Sequence, residues 1–177
     1  MLLENFSILY VEDSKTQREL IKDLLQNITK EIYLAENGKQ GVELFSKYKP
    51  DIVINSSGTL GANNLKYQEV FNTNFGSNWE IIKFYTSKKI TKKIKIILIG
   101  STSYNKISKN YLLYSSSKAA LHSLYKGSKK ILKERKISLS IYHPKRMKTK
   151  MIKNLNFINK NSGINPKIEA KNIIKLI

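Results

Sequence analysis

Residues 96–121 read IILIGSTSYNKISKNYLLYSSSKAAL: an apolar run, a Gly-Ser stop, a polar link and the opening of a second apolar-periodic stretch. The run at 95–99 has the length and β-branched content of a buried strand, and Gly100-Ser101 ends it. Residues 111–135 then have the length and composition of a helix. Within it Tyr114 and Lys118 are four residues apart and so share one helix face. Ser101 stands thirteen residues before Tyr114, at the strand's carboxyl end. A nearby ammonium favours tyrosinate and pulls a phenol down from its usual pKa of ~10. The phenol can then exchange a proton with a carbonyl or alcohol, while a serine hydroxyl donates to the developing oxyanion.

Tyr-x-x-x-Lys alone says little in a chain with 29 lysines, and it recurs at Tyr85/Lys89 and Tyr125/Lys129. Tyr114 is singled out by its setting. A Gly-Ser strand end lies upstream, Ser115-Ser116-Ser117 separate Tyr from Lys, and Ala119-Ala120-Leu121 continue the helix.

Outward from this stretch the chain alternates strand and helix. Residues 6–11 form a short apolar run, and Ser14 is placed to cap a helix in which Leu20, Ile21, Leu24 and Leu25 recur at helical spacing. Residues 31–35 read as a second strand, Asn37-Gly38 as a turn, and Val42, Leu44 and Phe45 as marks of a second helix. Pro50 stops that helix before a third strand at 51–55. A helical stretch covers about 65–88, with Val70, Phe71, Phe75, Ile81 and Ile82 as its apolar positions. A fifth strand falls at 137–142. Residues 148–166 are polar and irregular, and Pro166 can open a last helix. Alternating elements with apolar strands predict a parallel sheet covered on both faces. Ligands in such sheets bind beyond the strands' carboxyl ends, so chemistry is expected just after residues 11, 55, 100 and 142.

Composition narrows the classes. The chain has 177 residues, 41% of them hydrophobic, which suits one globular domain. No run of eighteen apolar residues predicts a membrane span, and the first residues do not read as a secretory signal. Cysteine is absent, and His122 and His143 are the only histidines, which argues against cysteine or histidine metal sites. Lack of cysteine also suits a cytoplasmic protein. Of the net +19, residues 1–52 carry −2 and residues 53–177 carry +21. The positive charge is almost all scattered Lys, without the Arg and aromatic patches of nucleic-acid readers, so nucleic acid is not the expected partner.

From residue 53 the chain resembles the short-chain dehydrogenase/reductase family. DIVINSSGTLG is similar to the family's strand and Asn-Asn-Ala-Gly turn, here Asn55-Ser56-Ser57-Gly58. NTNFGSNWEIIK resembles its helix with a catalytic asparagine, Asn74 by spacing. IILIGSTSY and YSSSKAAL supply the matches to its serine, tyrosine and lysine: Ser101, Tyr114 and Lys118. HPKRMKTKM resembles its Pro-Gly…Thr-x-Met loop, with Pro144, Thr149 and Met151 in place and Lys145 where glycine is usual. The resemblance implies NAD(P)-dependent carbonyl or alcohol oxidoreduction on a small molecule. Ser101, Tyr114, Lys118 and Asn74 would be catalytic, and Asn55, Gly58 and Thr149 cofactor-binding. It also implies a homodimer formed through the helices at 65–88 and 111–135.

Residues 1–54 look different. SILYVEDSKTQRELI…IYLAENGKQGVELFSKYKPDIVI resembles the first half of a response-regulator receiver, with Glu12 and Asp13 as its acidic pair. Under that alternative the pair would hold Mg²⁺, and the chain would be a signalling or binding module. The phosphoryl-accepting carboxylate of that family would fall at Ser56, which cannot form the acyl phosphate. As a dehydrogenase, the chain lacks the glycine-rich loop at its first turn: its first glycine is Gly38, and Val11-Glu12-Asp13-Ser14-Lys15 stands in the loop's place. At ~4 Å and an effective dielectric of ~20, each carboxylate–phosphate pair costs about 4 kcal/mol before screening, enough to weaken binding roughly a thousandfold. Both families build open parallel sheets, and KPDIVI suits a strand beside the first in each. The expected fold is therefore one continuous three-layer αβα Rossmann-like or flavodoxin-like sandwich with strand order 2-1-3-4-5. The expected function is dehydrogenase chemistry by descent, impaired at its cofactor loop.

Overall fold

All residues of Ser7–Val11 and Ile52–Asn55 are buried, as strands covered on both sides must be. The structure is a computed structural model, and it describes residues 3–61, 66–107, 109–148 and 163–177. Strands β1 (Ser7–Val11), β2 (Glu31–Ala35), β3 (Ile52–Asn55), β4 (Ile94–Ile99) and β5 (Ile137–Tyr142) form one parallel sheet, ordered β2-β1-β3-β4-β5 as the sequence predicts. The register pairs Val11 with Asn55, Asn55 with Leu98, and Ile99 with Tyr142. The carboxyl ends of four strands thus lie along one edge.

Alternate residues of each strand face opposite layers. Leu9, Val11, Val53, Ile96, Leu98 and Leu139 join the cluster that receives Phe45 of α2 (Gly38–Tyr48), Ile81 and Tyr85 of α4 (Ser77–Ser87), and Leu121 of α5 (Leu112–Glu134). On the other face, Ile8, Tyr10, Ile52, Ile54, Ile97 and Ile99 pack against Leu25 of α1 (Lys15–Leu25) and Ile173 of α6 (Pro166–Ile174). The Tyr142 hydroxyl donates to the buried Glu169 carboxylate and ties α6 to the end of β5. Asp51 accepts from the Ser7 amide and hydroxyl at 2.9 and 2.7 Å and pairs with Lys92 at 2.7 Å, closing the opposite edge of the sheet.

Several details depart from the sequence reading. Ser14 occupies the N-cap of α1 with extended backbone, but its side chain makes no capping bond. Leu25 is buried, whereas Leu20 and Leu24 are exposed, because α1 meets the sheet along one narrow stripe. The helix expected at 65–88 is interrupted: α3 (Tyr67–Phe71) runs through a π turn at Asn72–Gly76 into α4. Such turns insert one extra residue and recur at functional sites. Pro166 does open α6, at its first helical position. Residues 149–162, within the stretch expected to be polar and irregular, lie outside the described residues, and Thr149 and Met151 with them. Among the described residues no helix is long and apolar enough to cross a membrane.

Candidate active site

Ser101 follows β4 in extended conformation, with φ −164°, and its hydroxyl accepts the Ser103 amide at 3.1 Å. Tyr114, in the first turn of α5, has its phenol close enough to the same hydroxyl for Ser101 to draw the phenol's pKa down. One turn further on, the Lys118 ammonium is buried, donates to the Ile99 carbonyl at 3.2 Å and lies 5.8 Å from the Tyr114 ring centre. Ser101, Tyr114 and Lys118 therefore converge at the carboxyl edge of the sheet.

Asn74 is fully buried inside the π turn. Its Oδ1 accepts the Thr59 amide at 2.7 Å, and its Nδ2 donates to the Thr59 carbonyl at 2.8 Å and to Ser117 Oγ at 2.9 Å. Asn74 thus binds the loop after β3 to α5. Gly58 lies in that loop. A Cβ placed there would sit 3.4 Å from Lys118 Nζ and 3.5 Å from Asn74 Oδ1, ordinary contact distances, so the turn lies closely over both. Asn55, expected at the cofactor, works inside the protein: its Nδ2 donates to Ser77 Oγ at 3.1 Å and to Asn78 Oδ1 at 2.8 Å, and its Oδ1 accepts the Ser57 amide at 3.2 Å.

The electrostatics correct one expectation. Lys118 was expected to lower the Tyr114 pKa, but burial raises it above the usual tyrosine value, and only the Ser101 hydroxyl pulls the other way. Burial dominates at Lys118 too, bringing its ammonium down to about 8 although Asp13 and Glu12 draw it up. Removing a charge from water outweighs partners that are not in direct contact.

The acidic pair shares this edge. Glu12 is buried, accepts the Ser14 amide at 3.1 Å and is pushed up to about 7, chiefly by burial and also by Asp13, while the Ser14 amide and Ser56 hydroxyl oppose the rise. Asp13 Oδ1 accepts the Gly58 amide at 2.9 Å, and Arg18 Nη1 donates to the carbonyls of Glu12 and Asp13 at 2.6 and 2.9 Å. A dinucleotide pyrophosphate needs free amides and close backbone at this turn. Here the Ser14 amide already carries the Glu12 carboxylate, and Asp13 stands beside it on the Gly58 amide after β3, so the turn opposes that group. The residues present do not support Mg²⁺ at Glu12 and Asp13 either: among the described residues no three His, Cys, Asp or Glu side chains gather as a metal site.

Sequence reading placed chemistry after residue 142 but did not identify His143. That imidazole meets His122 of α5 at 3.0 Å and the Ser101 amide at 3.1 Å. A hint lay in His122, one helical turn past Lys118, but nothing in the spacing joins it to a residue beyond β5.

Solved structures share the fold. A short chain dehydrogenase from Burkholderia cenocepacia J2315, in complex with NADP, is 15% identical with a TM-score of 0.72, over 97% of this chain and 83% of that one. One from Salmonella enterica subsp. enterica serovar Typhi is 13% identical with a TM-score of 0.74, over 98% and 90%. A short-chain dehydrogenase/reductase from Vibrio parahaemolyticus is 15% identical with a TM-score of 0.74, over 96% and 80%. No curated protein matches. None of these likenesses supports the receiver half-domain expected at 1–54, and the dehydrogenase family model itself reaches back into that segment, to residue 36. That model, described as short chain dehydrogenase, matches residues 36–159, well over half of the sequence, and the chain belongs to the short-chain dehydrogenase family.

Proposed function

We propose that the chain is an oxidoreductase acting on a small-molecule carbonyl or alcohol, with Ser101, Tyr114 and Lys118 as its reacting centre and NAD(P) as its cofactor. The observation that carries this reading is the convergence of the Ser101 hydroxyl, which draws on the Tyr114 phenol, and the Lys118 ammonium, 5.8 Å from the same ring, at one strand end. Tyr114 is the proton donor. Its raised pKa keeps the phenol neutral near pH 7, which suits protonation of a carbonyl oxygen better than deprotonation of an alcohol. Ser101 donates to the oxygen as negative charge develops there. Lys118 supplies positive charge behind the phenol, and Asn74 holds the loop and helix in register around it.

NAD(P) is supported by family membership and by the NADP bound in the Burkholderia protein. The carboxylates of Glu12 and Asp13 oppose its pyrophosphate, so binding is weak. Of the residues expected to hold it, Gly58 lies at the centre, Asn55 supports the turn from within, and Thr149 is outside the described residues.

Fluorescence titration with NADH and NADPH tests this reading, followed by NADPH oxidation with small aldehydes and ketones. Weak saturable binding is expected, with turnover that falls about a hundredfold or more in Tyr114→Phe. No binding of either nucleotide at millimolar concentration would end the claim.

A further inference from the structure

Tyr104, His122 and His143 come from three elements and meet beside Ser101. Tyr104 closes the short turn Thr102–Tyr104 after β4, His122 lies on α5, and His143 follows β5. The Tyr104 ring stacks on both imidazoles, at 4.1 Å from His122 and 4.2 Å from His143. His143 Nε2 is 3.0 Å from His122 Nδ1. His143 Nδ1 is 3.1 Å from the Ser101 nitrogen and 3.0 Å from the Ser101 oxygen. The site is shaped for this ring, since any Cβ at Gly100 would collide with His143 Nδ1.

One ring nitrogen cannot serve both backbone groups in the same way. With a lone pair, Nδ1 accepts the Ser101 N–H; with a proton, it donates to the Ser101 carbonyl. The contact with His122 selects between them. If His143 carries its proton on Nε2 and donates to His122 Nδ1, its own Nδ1 is left as an acceptor facing Ser101. We propose that His143, backed by His122 and Tyr104, is a positioning residue that holds Ser101 by its backbone amide, and that its protonation state sets this grip. The inference rests on Ser101 as the hydroxyl donor of the proposed centre.

The groups facing His143 favour the neutral ring. Burial holds its pKa below the usual histidine value, and His122 and Lys118 of α5 act in the same direction, while the backbone bond to Ser101 opposes them. Tyr104 covers the ring without charge. Near neutral pH the amide grip is therefore in force. As pH falls through the His143 titration, Nδ1 gains a proton and must turn to the Ser101 carbonyl.

Nitrogen-15 spectra of the whole protein test this. At neutral pH His143 Nδ1 should be unprotonated and Nε2 protonated, and the Ser101 amide should shift along the His143 titration curve. His143→Ala should abolish that shift and speed exchange of the Ser101 amide proton. His143→Asn, which keeps an acceptor, should restore slow exchange without pH dependence. A protonated Nδ1 at neutral pH in the wild type, or a Ser101 amide blind to the His143 titration, overturns the proposal. The wild-type spectra require neither turnover nor a foldable variant. A titrating Ser101 amide without carbonyl reduction would sink the dehydrogenase reading and leave His143 its role; turnover with a silent amide would do the reverse.

Discussion

At the turn after β1, Glu12 and Asp13 place their carboxylates on the amides of Ser14 and Gly58, whereas at the turn after β4 Ser101 presents its hydroxyl to the Tyr114 phenol. Both turns lie on the same edge of one sheet, and they meet through Lys118, whose charge is drawn up by Asp13 and Glu12. The first turn already places a carboxylate on its Ser14 amide and so opposes an anion. The second brings a hydroxyl and a phenol together beside a buried ammonium. The family's architecture survives in both places, but the chemistry of each turn depends on side chains that the fold does not dictate.

The largest effect is expected from erasing the difference. In Glu12→Gly/Asp13→Gly, both carboxylates leave, the Ser14 and Gly58 amides are freed, and the backbone gains the freedom a phosphate needs. NADPH affinity should rise on the order of a hundredfold, less than the unscreened repulsion because salt and Arg18 already moderate it. Fluorescence titration of wild type and double variant measures this directly. Equal affinities would mean that the acidic turn is not what opposes the cofactor.

A smaller effect follows from Glu12 alone. Its carboxyl is raised to about 7 in the folded protein, so between its ordinary value and 7 the folded state binds more protons than the unfolded chain. Stability therefore falls as pH rises through that window, and the cost is fully present above pH 7. Glu12→Gln keeps an acceptor for the Ser14 amide and removes the charge. At pH 8 the variant should be more stable by on the order of 2 kcal/mol, and at pH 4 the gain should vanish. Urea denaturation at the two pH values decides it; a gain that is the same at both rules out the buried charge as its source.

The sequence made the second turn legible and the first only half so. Ser101, Tyr114 and Lys118 sit on one strand end and one helix, where spacing converts directly into geometry. The strands read well for the same reason, and β2 and β5 fall on the expected residues. The contact of Asp13 with Gly58 spans 45 residues, and the pairing of His122 with His143 joins a helix to a turn beyond the next strand. No local pattern encodes such meetings. Periodicity placed Leu20 and Leu24 on a helix without showing that α1 exposes them. The π turn around Asn74 was equally hidden, since its cause is tertiary: Asn74 is held at once by Thr59 and Ser117. The direction of the Tyr114 shift was missed because charge is visible in a sequence and burial depth is not.

The smallest expected effect concerns a buried polar group with no partner, the counterpart of the well-bonded Glu12. Tyr85 lies in α4 with its ring packed edge-on against Phe45 and Phe84, centroids 4.7 and 5.4 Å away. It is 1% exposed, and its hydroxyl finds no hydrogen-bond partner among the described residues. A desolvated hydroxyl left unpaired is a net cost, while the ring's packing is a net gain. Tyr85→Phe keeps the ring and removes the cost, so the variant should be more stable by about 1 kcal/mol. Because Tyr85 ionises far above neutrality, the gain should be the same at pH 5 and pH 8, in contrast to that of Glu12→Gln. Denaturation midpoints at both pH values test it, and a loss of stability would place a partner, such as a buried water, on the Tyr85 hydroxyl.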